Sequence, residues 1–407
     1  YRALLPTLGA LLVIAAGPSA TLNRVLLSNR PAVWIGRISY PLYLWHWPVL
    51  TFARFMNAEL PSPWQRLGLL VASGILAWLT YRFIELPVRF GSPRRWQFVT
   101  PLAGLIVLGL LGQNIYLRDG LEFRKANRGL PGMAAAADGW YRLHDCLLDP
   151  PDMARMASGQ KTFSKVCDGG AADSGRPLIL IWGDSHAASL YPGLHAYALQ
   201  HGFDVAQFTG SACPPIVEGD IPDKPKGCDE LGKVALRKIT ELKPAIVVLA
   251  GYWSRYQAPA AATNGIYPAL AGTLNSIRQL SPARIVLVGH LPTFFDKQAG
   301  IGVRMFEPGK RDRTYKGFDE RSRASDGLVR TIAATAGVSF FSPIDLLCNA
   351  GGCLLSTSDR ELKPIAWDYG HLTAWGSEFL IGKAVEASPE LFAATTGVAP
   401  NRDTARP

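Results

Sequence analysis

LILIWGDSHAAS (residues 178–189) decides the fold. Its first half, LILIWG, reads as a strand buried on both faces. Gly183-Asp184-Ser185-His186 breaks the run, and AASLYPGLHAYALQ (187–200) reads as a helix. A serine at such a strand-to-helix junction is poised as a nucleophile. Working outward, AIVVLAG (245–251), RIVLVGH (284–290) and VSFF (338–341) are further strands. Helical stretches fall near 264–280, near 318–336 and from about 373. Strands alternating with helices imply an α/β domain of three layers, a central parallel sheet covered on both faces. Active sites of such sheets lie at the carboxyl ends of the strands, and Ser185 sits just past one.

A serine hydroxyl needs a base within hydrogen-bond reach. WDYGHLTAWG (367–376) supplies one: Asp368 and His371, three residues apart, let the carboxylate fold back on the imidazole, fix its tautomer and stabilise the imidazolium. The expected catalytic set is Ser185, Asp368 and His371, in the chain order of other parallel-sheet hydrolases although no GxSxG elbow is present. The Ser185 N–H, opening a helix, is a natural oxyanion donor. Asp184, His186 and Trp253 are candidates for the pocket. His186 either lines it or caps the helix, and Trp253 with Tyr252 forms either a sugar-stacking wall or core. His290, ending a strand, reads as a satisfied loop histidine.

The front of the chain is of another kind. Residues 1–125 hold 13 Lys or Arg against 4 Asp or Glu, nearly all of the net +10. The remainder has no basic stripe, zinc spacing or RNA-binding aromatic motif, which excludes nucleic acid as a partner. Stretches 3–23, 38–53, 67–81 and 96–117 have membrane-spanning character, the middle two lengthened by snorkelling arginines toward the roughly 20 residues a bilayer requires. Arg24, Arg30 and Arg37 in the first link, and Arg89, Arg94 and Arg95 in the third, hold those links in the cytoplasm, while NAELPSP (57–63) carries no positive charge. The fourth helix then delivers everything after about residue 118 outside. His46, between Trp45 and Trp47, reads as either an intramembrane functional group or part of an interfacial aromatic cluster. Glu85 reads as a local ion pair with Arg82 or Arg89. The start at Tyr1-Arg2 leads us to expect the tail of a larger membrane domain whose earlier helices are missing and are a candidate partner. Six cysteines, all beyond residue 140, form near pairs Cys146/Cys167, Cys213/Cys228 and Cys348/Cys353, the simplest of the connectivities they allow. Their even number suits an oxidising compartment, and no histidine stands at metal-ligand spacing beside them, so no metal is expected.

Gly183-Asp184-Ser185 and Asp368-x-x-His371 resemble the first and last blocks of the SGNH (GDSL-like) hydrolases. That resemblance implies two further oxyanion donors, a glycine after the second strand, which Gly210 in FTGSACPP would supply, and an asparagine in a GxND motif. The sequence has Gly251-Tyr252-Trp253-Ser254 at the latter place, without asparagine. ISYPLYLWHWPVL (38–50) and YRFIELPVR (81–89) resemble the closing helices of the acyltransferase-3 membrane family, and GDSHA, SACPP and DxxHL are the forms taken by the SGNH domains fused to it. The joint resemblance implies carboxyl-terminal acyltransferase-3 helices over 1–118, a periplasmic linker or extension over 119–172, an SGNH domain over 173–395 and a tail over 396–407. It implies a bacterial inner-membrane protein that O-acetylates a surface polysaccharide such as lipopolysaccharide O-antigen, with acetyl-CoA as acyl donor and no bound cofactor. A membrane-tethered carbohydrate acetyl-esterase and a non-catalytic glycan-binding domain on an anchor are the alternatives.

Overall fold

LILIWG occupies the centre of a six-stranded, all-parallel sheet. In the computed structural model, which describes residues 4–57, 62–91, 96–118, 130–170, 174–219, 221, 224–256, 265–295, 309 and 312–393, the strand order is β1-β3-β2-β4-β5-β7. Here β1 is Leu147–Leu148, β2 Leu178–Gly183, β3 Asp204–Gly210, β4 Ile246–Ala250, β5 Arg284–Val288 and β7 Ser339–Phe341. Three short strands, β6 (Arg313–Thr314), β8 (Cys348–Asn349) and β9 (Gly352–Leu354), make a separate antiparallel sheet.

Alternation along β2 sorts its side chains between two layers. Leu178, Leu180 and Trp182 enter one apolar cluster with Leu231, Ala235, Leu270, Leu274, Val329 and Ala333 from the helices Cys228–Leu242, Ile266–Leu280 and Glu320–Ala336. Ile179 and Ile181 enter the other with Leu194, Ala198, Leu380 and Ile381 from Tyr191–His201 and Ala374–Ala387. Each fully buried aliphatic chain is worth ~1.5–3 kcal/mol over exposure, so the strand is held from both sides.

The two helices of the second layer meet at very short range. A Cβ added to Gly193 would lie 2.3 Å from the Ser377 carbonyl oxygen, and the Gly193 N–H donates to Ser377 Oγ at 2.9 Å. The sheet is equally tight where β2 ends: a Cβ on Gly183 would lie 1.9 Å from the Ala250 oxygen. Three disulfides, Cys146–Cys167, Cys213–Cys228 and Cys348–Cys353, staple the β1 lead, the turn after β3 and the β8–β9 hairpin.

The stretch read as a connector contributes more than a link. Between 130 and 168 it forms the helix Leu130–Tyr141, edge strand β1 and the helix Pro150–Ala157. β1 has only two residues, too few for periodicity to betray it. Residues 119–129 of that stretch and the tail at 396–407 lie outside the described residues, as do Arg94, Arg95 and 58–61.

Residues 1–114 form a separate unit of helices, Leu4–Ala15, Arg30–Asn57, Pro63–Thr80 running on through a π turn to Phe90, and Trp96–Leu117. Among the described residues two of its helices, Pro63–Phe90 and Val99–Leu117, are long and apolar enough to cross a membrane. The first span expected, 3–23, is helical only to Ala15 before the Gly17-Pro18 turn. The span expected at 38–53 lies inside a longer helix that also carries Arg30 and Arg37. Glu85 pairs with Arg89 at 2.6 Å, and His46 Nδ1 is satisfied by the Tyr43 and Leu42 carbonyls.

The Gly193 contact yields a prediction. Gly193→Ala must push Ala374–Ala387 away from Tyr191–His201, costing about 1–3 kcal/mol as overpacking does. Thermal melting reads the loss, and an unchanged midpoint would contradict the close packing.

Candidate active site

The site is assembled from two loops far apart in sequence. β2 ends at Gly183 and the chain turns at once into the short helix Ser185–Ala188, capped by Asp184, whose Oδ1 accepts the His186 N–H at 2.8 Å. Ser185 is the first helical residue, so its N–H has no acceptor within the helix and is free for an oxyanion. The loop before Ala374–Ala387 brings His371 over it: His371 Nε2 lies 2.8 Å from Ser185 Oγ, and His371 Nδ1 lies 2.7 Å from Asp368 Oδ2. The other carboxylate oxygen accepts the N–H groups of Gly370 and His371 at 3.0 and 2.8 Å. Burial pushes the Asp368 carboxyl upward, but the His371 partner and these two donors outweigh it and hold the group below the usual carboxylate range. An ionised Asp368 fixes the proton on Nδ1 and leaves Nε2 as the acceptor for the serine proton.

Gly210, expected as an oxyanion donor, closes β3 at the same carboxyl edge, one residue past Thr209, which pairs with Gly183. It packs so closely on Leu231 and Met153 that a Cβ would lie 2.5 and 2.6 Å from them, a packing requirement for glycine independent of catalysis.

The three candidate pocket residues are all enclosed. Trp253 is fully buried, belongs to the core, and donates its indole N–H to the Val288 carbonyl at 3.0 Å, so it is no sugar-stacking wall. Asp184 is also buried. Its second oxygen accepts the Tyr252 N–H at 2.7 Å and the Tyr256 hydroxyl, tying the end of β2 to the segment after β4. Burial pushes its carboxyl upward against those donors. His186 is equally enclosed, stacked on Tyr252 at 4.6 Å and 4.7 Å from the His371 ring, so it backs the site instead of facing solvent. His290 is satisfied as expected, by the Leu291 carbonyl at Nδ1 and the Ser254 hydroxyl at Nε2.

Tyr141, which the sequence reading missed, supports the catalytic loop from the helix Leu130–Tyr141. Its buried hydroxyl donates to the Leu372 carbonyl at 2.5 Å and accepts the Trp367 indole N–H at 2.7 Å, while its own carbonyl accepts from Gln207. Burial first, then the Asp368 charge, push its hydroxyl well above the ordinary tyrosine value, so it stays a donor. Trp367 in turn stacks on His371 at 6.2 Å and 20°. Tyr141 thus props both flanks of the Asp368–His371 loop. The partners are 231 residues apart, and only the clustered aromatics of WDYGH hinted that the loop needed support.

Among the described residues one cluster, His144, Asp149 and Asp152, has metal-like spacing. Asp152 is already claimed by Lys161 at 2.9 Å and by Arg155. Burial works against its charge, but Lys161, His144 and Arg155 outweigh it and bring the carboxyl down to about 2, the signature of an ion-pair network.

A Ser–His–Asp relay at the carboxyl edge of a parallel sheet, on Gly-Asp-Ser and Asp-x-x-His loops, defines the SGNH class. The chain belongs to the family described as the SGNH domain fused to AT3 domains, whose model matches residues 146–384. Among curated relatives it is similar to the peptidoglycan O-acetyltransferase OatA of Listeria monocytogenes, 34% identical over 83 residues (20% of this chain, 13% of the relative). It is also similar to the O-acetyltransferase OatA of Staphylococcus aureus, 30% identical over 117 residues (27% and 19%). The matched stretch thus spans less than a fifth of either relative. Among solved structures, the periplasmic domain of a lipopolysaccharide acetyltransferase from Salmonella ser. Paratyphi A is 22% identical with a TM-score of 0.47, covering 63% of this chain and 98% of that one.

Two predictions follow from this geometry. Tyr141→Phe keeps the ring but removes both hydroxyl bonds; turnover of an acetyl ester is expected to fall about tenfold with KM little changed, whereas equal kinetics would deny the propping role. The second concerns acid. Burial holds His290 down to about 4 and His186 well below its ordinary value, the nearby His371 and His290 charges adding to burial for His186. An unfolded histidine titrates near about 6.5, so the unfolded chain takes up protons that the folded one refuses. Stability therefore falls as pH drops from about 6.5 to about 4, His290 alone accounting for ~3 kcal/mol, and His290→Gln should flatten that limb in denaturant titrations.

Proposed function

We propose that the chain is an O-acyltransferase, specifically an O-acetyltransferase, that places an acyl group on a hydroxyl of a bacterial surface polysaccharide such as lipopolysaccharide O-antigen. The Ser185–His371–Asp368 relay within an SGNH domain of the AT3-fused family is the observation that carries this reading. The names of the matched OatA relatives support the reaction class.

Ser185 Oγ attacks the acyl carbonyl of the donor while His371 Nε2 takes the serine proton. The carbonyl oxygen becomes an oxyanion received by the Ser185 N–H, with the Gly210 N–H as second donor. Collapse expels the donor's leaving group, which takes the proton back from His371, and leaves an acyl ester on Ser185. A glycan hydroxyl, deprotonated by His371, then attacks that ester; the second oxyanion collapses, the Ser185 Oγ–acyl bond breaks and the serine regains its proton. Asp368 orients His371 and balances the imidazolium in both halves.

The acetyl group is proposed to originate on cytoplasmic acetyl-CoA and to be passed across the inner membrane by acyltransferase-3-like helices over 1–118 that cross it four times, so that Ser185 takes it from the outer side. The arginine-bearing first and third links would face the cytoplasm and the SGNH domain the periplasm, where its three disulfides persist. The extension at 119–172 is assigned to the same functional body as 173–395 because Tyr141 reaches the catalytic loop.

The full chain in detergent, supplied with an acetyl ester and with or without an oligosaccharide acceptor, tests the reading. Acetylated sugar is expected at the expense of free acetate, and Asp368→Asn should cut the rate by roughly 10³–10⁴ through the wrong tautomer. Acetate release indifferent to sugar would make the protein an esterase instead.

A further inference from the structure

One tryptophan, Trp367, stacks on His371, and two more, Trp140 and Trp375, meet each other; the relay itself uses none of them as a reacting group. Trp140, on the helix before β1, and Trp367, on the catalytic loop, both pack half-buried against Ala137, Tyr141, Leu147 and Ala188, the last being three residues beyond the nucleophile. Trp140 meets Trp375 edge to face, with ring centroids 6.0 Å apart. Trp375, in the first turn of Ala374–Ala387, is 37% exposed. Trp367 is locked by its indole bond to Tyr141 and by its stacking on His371. Large indoles held rigidly at a surface lose little conformational freedom when something is laid on them.

We infer that Trp140, Trp367 and Trp375 form an acceptor shelf on which a hexopyranose ring of the glycan chain lies while a neighbouring hydroxyl is presented to His371. The inference rests on the proposed transfer to sugar. A pyranose carries C–H groups on its faces and hydroxyls around its rim. Its face buries apolar area on an indole while the rim stays hydrated or reaches the base. The position is what favours a sugar. Trp140 and Trp367 pack on the same small apolar cluster and Trp367 stacks on the His371 ring, so a sugar laid on the shelf would rest next to the base that the second half-reaction needs. It also explains the placement of aromatics in the sequence: Trp367 and Trp375 flank His371, while Trp140 comes from a helix lying before the matched family span. A bilayer interface also attracts tryptophan, but it would not need a ring stacked on the catalytic histidine.

The test measures binding without chemistry, so that it can fail separately from the transfer reading. The full-length Ser185→Ala chain, in nanodiscs, is titrated with chitotetraose and with a mannotetraose, following tryptophan emission. Saturable quenching in the millimolar range is expected for at least one sugar. Adding Trp375→Ala should raise the apparent Kd at least about tenfold, whereas Trp375→Phe, which keeps an aromatic face, should stay within about threefold. With Ser185 restored, the Ala variant should show its defect in acceptor KM and not in kcat. Trp375 is the partly exposed member, and an unchanged melting temperature separates lost stacking from misfolding. Binding unaffected by Trp375→Ala, or no saturable binding of either sugar, overturns the shelf. So would emission quenched by brominated lipid in the parent and not in the Trp375→Ala variant, which would give the surface to the bilayer. Sugar binding without transfer would leave the shelf standing and remove the reaction proposed above.

Discussion

Everything in the site depends on how closely Tyr191–His201 and Ala374–Ala387 approach each other. The first helix follows the nucleophile turn directly; the second follows the histidine loop. Because Gly193 has no side chain, backbone meets backbone at Ser377, and the bond to the Ser377 hydroxyl sets their spacing. The 2.8 Å between Ser185 and His371 therefore follows from a helix–helix distance fixed one turn away. A loop-to-loop contact alone would not hold two side chains 186 positions apart at hydrogen-bond range, because proximity of this kind has to be prepaid in the fold.

Electrostatic order is maintained by separating the polar groups into three tiers. Asp368 is the carboxylate kept ionised, by His371 and two backbone donors. Asp184, immediately before the nucleophile, instead receives hydrogen bonds that close the strand ends, and burial pushes its carboxyl upward. His186 and His290 are kept neutral by enclosure, so the site gains only one new positive charge when His371 takes a proton. Low solvent access makes each of these assignments sharper than it would be at the surface.

How much of this could be read from the sequence depended on distance along the chain. LILIWG was legible because burial on both faces writes an uninterrupted apolar run, and Ser185, Asp368 and His371 were legible because each sits in a short local pattern. Trp253 stayed open between wall and core because a tryptophan after a strand looks the same whether its indole points to the core or the cleft; the bond to Val288 distinguishes them. β1 was too short to have a period, and Tyr141 acts on residues more than two hundred positions away. In the front unit, apolar composition was visible but helix ends were not, since the Gly17-Pro18 turn and the arginines of Arg30–Asn57 change the lengths without changing the general hydrophobicity.

Tyr141 has one more consequence, for what counts as a unit of inheritance. The family pattern begins at Cys146, yet the hydroxyl that steadies the histidine loop comes from five residues earlier. A polypeptide cut at the family boundary would retain every residue of the relay, all three disulfides and the whole parallel sheet. It would lack the prop under the part that has to stay still. The boundary of the sequence pattern and the boundary of the mechanical unit therefore differ by one helix, Leu130–Tyr141, which holds Leu372 and Trp367 on either side of the relay.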